Sequence, residues 1–167
     1  MSGPFGLRMG MRLEEIGIPL SENDYWYRFD RLPKGHSFFN TYSLHIPPNI
    51  GLVSIHAYRW YHGDDANDLH LLSEFRAVRD RYYMQYRDFE TEDESIESGG
   101  IRLIKLSATW DASSISHLNT DLYRVRLEVE RDDDDFGSIS AFYTYNNFTE
   151  ALNETKRRPY GTEDQYL

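Results

Sequence analysis

The sequence predicts an α+β fold: an antiparallel sheet of about six strands, arranged as two helix-then-three-strand units and closed by a C-terminal helix. Three observations predict it. Six short segments alternate apolar and polar residues with the period of two that a strand requires. Residues 10–17 and 67–87 instead carry apolar side chains at helical spacing, and each stretch precedes a run of three strands. Two strand pairs can each be set in one antiparallel register that gathers the apolar residues on a single face.

In chain order, Gly10 to Gly17 reads as a short helix with Leu13 and Ile16 on one side, stopped by Gly17 and Pro19. Strands are expected at Tyr25–Phe29, Thr41–Ile46 and Gly51–Trp60. Pairing Ile46 with Val53 sets Leu44 against Ile55 and Tyr42 against Ala57, leaving Ser43, His45, Ser54 and His56 on the other face. The long helix over residues 67–87 presents Leu69, Leu72, Phe75, Val78, Tyr82 and Tyr86 inward and Arg76, Arg79, Arg81 and Arg87 outward.

An acidic stretch, Asp88 to Gly100, reads as a loop leading into a strand at Ile101–Trp110, where the alternation slips between Leu103 and Ile104, as either a bulge or burial on both faces would make it. Leu122 to Glu130 alternates cleanly, and placing Val129 opposite Ile139 also pairs Leu127 with Ala141, Val125 with Tyr143 and Tyr123 with Tyr145. The intervening loop holds Asp132, Asp133, Asp134 and Asp135. Thr149 to Arg158 reads as the last helix, with Lys156, Arg157 and Arg158 at its negative end. This organisation is one domain, residues 1–167, with units at 1–63 and 64–158 and a loose tail at 159–167.

Composition narrows the function. The 167 residues include 28 acidic and 18 basic side chains, a net charge of −10. Phosphate contacts from Lys and Arg supply most non-specific affinity for nucleic acid, so this balance argues against that class. The absence of cysteine excludes disulfides, thiolate nucleophiles, Cys-based zinc sites and a lipid-anchoring Cys. The first residues lack a basic start followed by an apolar run, and no stretch approaches a membrane span, so the expectation is a cytoplasmic protein without membrane contact. Nine acids lie in two stretches: Glu90, Glu92, Asp93, Glu94 and Glu97, and Asp132 to Asp135. Without them 18 basic residues face 19 acidic ones, a net charge of −1.

Two resemblances bear on the class. The segments Phe5–Ile16, Pro33–Tyr42, Gly51–Ala57 and Ser140–Phe148 are similar to those of a scattered group of single-domain bacterial proteins, a likeness that implies no activity. Gly10-Met11 and Glu15-Ile16, followed by three strands, resemble the unit start of the β-lactamase inhibitor protein and the small outer-membrane assembly lipoproteins. That likeness implies a protein that inhibits by binding.

The candidate metal-ligating residues are His62, Asp64, Asp65 and His70, with Asp68 beside them, where a strand gives way to a helix. Helix capping explains the same residues, and their spacing matches no established ligand motif. His45 and His56 share a sheet face without a carboxylate or nucleophile placed beside them. No Gly-x-Ser-x-Gly elbow and no phosphate-cradling glycine loop occurs. The acidic run at 132–135 lacks the alternating spacing and terminal Glu of a calcium loop.

The reading that follows is a non-enzymatic protein-binding protein, an immunity protein or inhibitor acting on a basic partner such as a toxin. Its expected contacts are Glu92, Asp93, Glu94, Glu97, Asp132, Asp133, Asp134 and Asp135, on two loops at one end of the sheet, helped by aromatic anchors and no cofactor. The alternative is a small hydrolase or metal-dependent enzyme using His62, Asp64, Asp65 and His70.

Overall fold

A computed structural model describes the backbone of residues 3–98, 101–115, 117–132 and 135–157, and the side chains of 3–93, 105–115, 117–132 and 135–154. The tail at 159–167, with Arg158, and Asp133 and Asp134 lie outside the described residues, as do the side chains of Glu94, Glu97, Lys156 and Arg157. Pro4–Gly6 forms a 3-10 turn, followed by α1 (Leu13–Ile16), β1 (Ser21–Asn23), β2 (Trp26–Phe29), β3 (Thr41–His45) and β4 (Ser54–His62). A second 3-10 turn, Gly63–Ala66, leads into α2 (Asp68–Tyr86). Then come β5 (Glu90–Ser98), β6 (Ile101–Asp111), α3 (Ala112–Ile115), β7 (Leu122–Arg131), β8 (Phe136–Tyr145) and α4 (Phe148–Arg157).

The architecture is α+β with an antiparallel sheet and a C-terminal helix, but the sheet has eight strands in the order β1-β2-β3-β4-β8-β7-β6-β5. The two beyond the six expected are β1 and β5. Both are edge strands, and neither carries the apolar alternation that reveals a strand packed on a core. The acidic stretch read as a loop is therefore largely β5, paired without interruption from Glu90 opposite Thr109 to Ser98 opposite Ile101. That continuity also leaves no bulge at Leu103 and Ile104.

The β3/β4 register is the expected one, Tyr42 opposite Ala57 and Leu44 opposite Ile55. The β7/β8 hairpin pairs Val129 with Ile139, Leu127 with Ala141 and Val125 with Tyr143, but a register shift between Leu122 and Arg124 sets Leu122, not Tyr123, opposite Tyr145. The bulge turns Leu122 into the core and leaves Tyr123 exposed, its ring tilted against Phe148 of α4 at 4.9 Å.

One face of the sheet is covered. Leu71, Phe75, Val78, Tyr82 and Tyr86 of α2 pack against β6, β7 and β8, over Ala108, Trp110, Val125, Leu127, Ile139 and Tyr143. Leu71 takes the core position expected of Leu69, which is 84% exposed. The helix starts at Asp68 with Asn67 as its cap, the Asn67 side chain accepting a hydrogen bond from the His70 amide at 2.9 Å. Arg79 is half-buried rather than fully outward, its guanidinium 5.4 Å from the Phe89 ring.

The N-terminal segment covers the β2–β4 half. Phe5 meets Tyr42 at 5.2 Å and Tyr143 at 5.4 Å, both edge to face, and Leu7, Met11, Leu32, Phe38 and Phe39 complete the layer. Gly10 donates to the Leu52 carbonyl and Leu52 donates to that of Met11, each at 2.9 Å, so the segment is stitched to the start of β4. A Cβ on Gly51 would overlap the Gly10 backbone, and Gly51 has φ +81°, so two constraints require glycine there.

Candidate functional site

Among the described residues, no helix or loop covers the opposite face of the sheet. The alternation of β3, β4, β7 and β8 sends the odd partners of the core residues to this side, and the registers line them up in rows. One row runs Trp60, Ser138, Glu130, Lys105; the next Tyr58, Ser140, Glu128, Ser107; the next Ser43, His56, Phe142, Arg126. Small serines on β8 thus lie between aromatic residues on β4 and carboxylates on β7. Two strand spacings separate those walls, about 9–10 Å between backbones.

The result is a trough of about 320 Å³ lined by Ser43, His56, Tyr58, Trp60, Glu128, Glu130, Asp132, Ser138, Ser140 and Phe142. At one end His56 stacks on Phe142, ring centroids 4.2 Å apart and nearly parallel. Tyr58 and Trp60 meet edge to face at 6.2 Å, and Trp60 is 48% exposed. Further along the same face, Trp26 stacks on His45 at 4.7 Å.

The electrostatics are uneven. Glu128 is 3.3 Å from Lys105 and 3.4 Å from Arg126 Nε, so two cations already hold it. Burial raises the pKa of Glu130, and Asp132 and Glu128 add to the rise while Lys105 opposes it. Negative charge therefore accumulates at the Glu130 end. Burial lowers the His56 pKa to about 4, and its Nε2 is buried without a hydrogen-bond partner among the described residues. An imidazole held neutral in this way is a weak base, and no carboxylate stands beside it in its row. The arrangement suits binding of a flat or cationic group better than proton transfer.

Of the residues expected to bind a partner, those with described side chains, Glu92, Asp93, Asp132 and Asp135, do not form one cluster. Glu92 stands on the uncovered face, 3.9 Å from Arg126, whereas the pleat puts Asp93, opposite Leu106, on the other side. Glu94 and Glu97 occupy register positions opposite Lys105 and Arg102. Asp132 lines the trough, and the Asp135 carbonyl accepts a 2.8 Å bond from the Gly63 amide. The two hairpin ends, β5/β6 and β7/β8, do share one end of the sheet, since β6 and β7 are antiparallel neighbours with Lys105 opposite Glu130.

The four residues of the metal reading are engaged separately. His62 meets the Phe136 ring at 5.2 Å, and His70 meets Tyr61 at 5.6 Å and Glu74 at 3.7 Å. Asp64 and Asp65 lie in the exposed 3-10 turn, and Asp68 binds Arg131 at 2.7 Å. Among the described residues, no group of three or more His, Asp or Glu side chains is placed to hold a metal ion.

A second cavity, of about 400 Å³, opens beside the N-terminal segment, with Lys34 and His36 among its lining. Its floor is occupied by its own bonding: Tyr143 donates to Tyr82 at 2.7 Å, deep in the core. Burial pushes the neighbouring Tyr86 phenol up to about 12, so these hydroxyls stay protonated donors.

Sequence reasoning placed His45, His56, Ser43 and Ser54 on one face but missed Tyr58, Trp60, Glu130 and Phe142 as their neighbours. The signal was partly there, in the alternation of both strands. What was absent was the β4/β8 pairing, which joins segments some eighty residues apart. Compared with protein-family models, curated proteins and solved structures, the chain finds no match in any of the three, so its function is argued from this geometry.

Proposed function

We propose that this is a non-enzymatic protein-binding protein, an immunity protein or inhibitor that occludes a basic partner with the uncovered face of its sheet. One observation carries the reading: one face of the sheet lies under α2 and the N-terminal segment, while the other presents Trp26, Tyr58 and Trp60 beside Glu128, Glu130 and Asp132. Aromatic side chains anchor interfaces at low entropic cost, and a surrounding negative field speeds encounter with a cationic partner. The stacked, neutral His56 favours this over acid/base catalysis.

The test is capture of a partner from cell extract by the tagged chain, repeated with Tyr58→Ser/Trp60→Ser and with Arg76→Ala on the outer side of α2. Capture by the parent and by Arg76→Ala, with loss in the double variant, is the expected outcome. A partner held equally by all three removes the uncovered face from the function. For the captured partner, the association rate should fall by roughly tenfold or more between low and physiological salt.

A further inference from the structure

The trough is asymmetric in a way that selects its occupant. Its aromatic wall is Tyr58 and Trp60 on β4, its acidic wall is Glu128 and Glu130 on β7, and its floor is Ser138 and Ser140 on β8. Glu128 is already bound by Lys105 and Arg126. Glu130 and Asp132 make no ion pair within 4.0 Å among the described residues. One end of the trough therefore combines an exposed indole with two carboxylates in no described ion pair, Lys105 acting on Glu130 only from beyond 4.0 Å.

Resting on the protein-binding reading, we propose that this end is an arginine pocket: it takes one arginine side chain of the basic partner, its guanidinium lying on Trp60 and donating to Glu130 and Asp132. The argument is one of charge and shape. A guanidinium is flat, weakly hydrated and forked, so it stacks on an indole face and still donates in its own plane to two carboxylates. The serine floor leaves depth for a thin group and adds hydroxyl acceptors along its edge. A lysine ammonium is compact and strongly hydrated, and gains less from the aromatic wall. The stacked His56 and Phe142 stand two rows from Trp60 and Ser138, at the other end of the trough from Glu130.

The probes are N-acetyl-arginine amide, N-acetyl-lysine amide and N-acetyl-citrulline amide, titrated into the isotope-labelled chain while the Trp60 indole N–H is followed by NMR. The resonance is assigned through Trp60→Phe. Citrulline keeps the shape of arginine and loses its charge. The expected result is a saturable Trp60 shift with the arginine probe, binding about fivefold weaker with lysine and none with citrulline, and about tenfold weakening in Glu130→Gln. Glu130→Gln is nearly isosteric on a solvated face, and an unchanged amide spectrum certifies its fold. Equal shifts from citrulline, or binding indifferent to Glu130→Gln, overturns the arginine pocket. The two readings fail separately: a partner captured through Tyr58 and Trp60 but insensitive to Glu130→Gln keeps the docking face and removes the arginine, whereas capture indifferent to Tyr58 and Trp60 removes the face itself.

Discussion

His56 shows how a single side chain records its surroundings. Unfolded, its imidazole titrates near 6.5; folded, burial against Phe142 lowers that value to about 4. A histidine whose pKa is lowered by folding contributes stability that is present above pH 6.5 and lost as pH falls toward 4, because the unfolded chain then binds the extra proton. The loss approaches about 3 kcal/mol below pH 4, an upper figure for a ring only partly shielded from water. His56→Phe should remove that part of the acid sensitivity, which urea unfolding at pH 7 and pH 4.5 would show as a smaller drop between the two. An unchanged drop assigns the acid sensitivity elsewhere. Gly51 is the other residue with a sharp consequence. Since its φ is +81° and a Cβ would meet the Gly10 backbone, Gly51→Ala should cost at least ~2 kcal/mol, whereas Gly35→Ala, with open space around it, should cost under about 1.

At the scale of the element, α2 illustrates a pattern whose phase was legible over most of its length, with Phe75, Val78, Tyr82 and Tyr86 buried as expected, and whose first turn was not. At about 100° per residue Leu71 lies roughly 40° around the axis from Phe75 and so joins the stripe of Phe75, Val78, Tyr82 and Tyr86, whereas Leu69 lies roughly 120° away and faces solvent. Leu71 wins because Gly137 on β8 leaves room beneath it: a Cβ there would stand 2.7 Å from Leu71 Cδ1. Accordingly Leu71→Ala should cost about 2–5 kcal/mol and Leu69→Ala within about 0.5, a contrast read from denaturation midpoints. Asn67→Ala should cost about 1 kcal/mol through the lost cap. Strand β5 taught the reverse lesson. Its acids suggested a solvated loop, but an edge strand needs only one neighbour and tolerates charge along its length, which also discourages pairing with another chain.

At the scale of the whole molecule, the described strands form two four-stranded meanders, β1–β4 and β5–β8, each preceded by a helix and joined where β4 pairs with β8 over nine residue pairs. The same core continues across that seam, through Ala57 and Ala141 and through Phe5 packed on both Tyr42 and Tyr143. The two halves should therefore unfold together. With Trp60 replaced by Phe, variants that keep only Trp26 or only Trp110 should report coincident urea midpoints, one tryptophan in each half. Separate midpoints would make the halves independent units.

The sequence by itself determined the fold class, the β3/β4 register, most of the β7/β8 register and the side of each strand on which polar residues lie, because these follow from local alternation and short loops. Tertiary structure decided what those polar residues do. The acids chosen from the sequence were chosen for density, and the pleat separates Glu92 from Asp93 as density cannot foresee. The trough needs β4 beside β8 and β8 beside β7, so that Trp60, Ser138 and Glu130 fall in one row. The first of those pairings spans a long helix and three strands. It is fixed by burial of the common core beneath α2 and the N-terminal segment, a term in the energy that no local stretch of sequence displays.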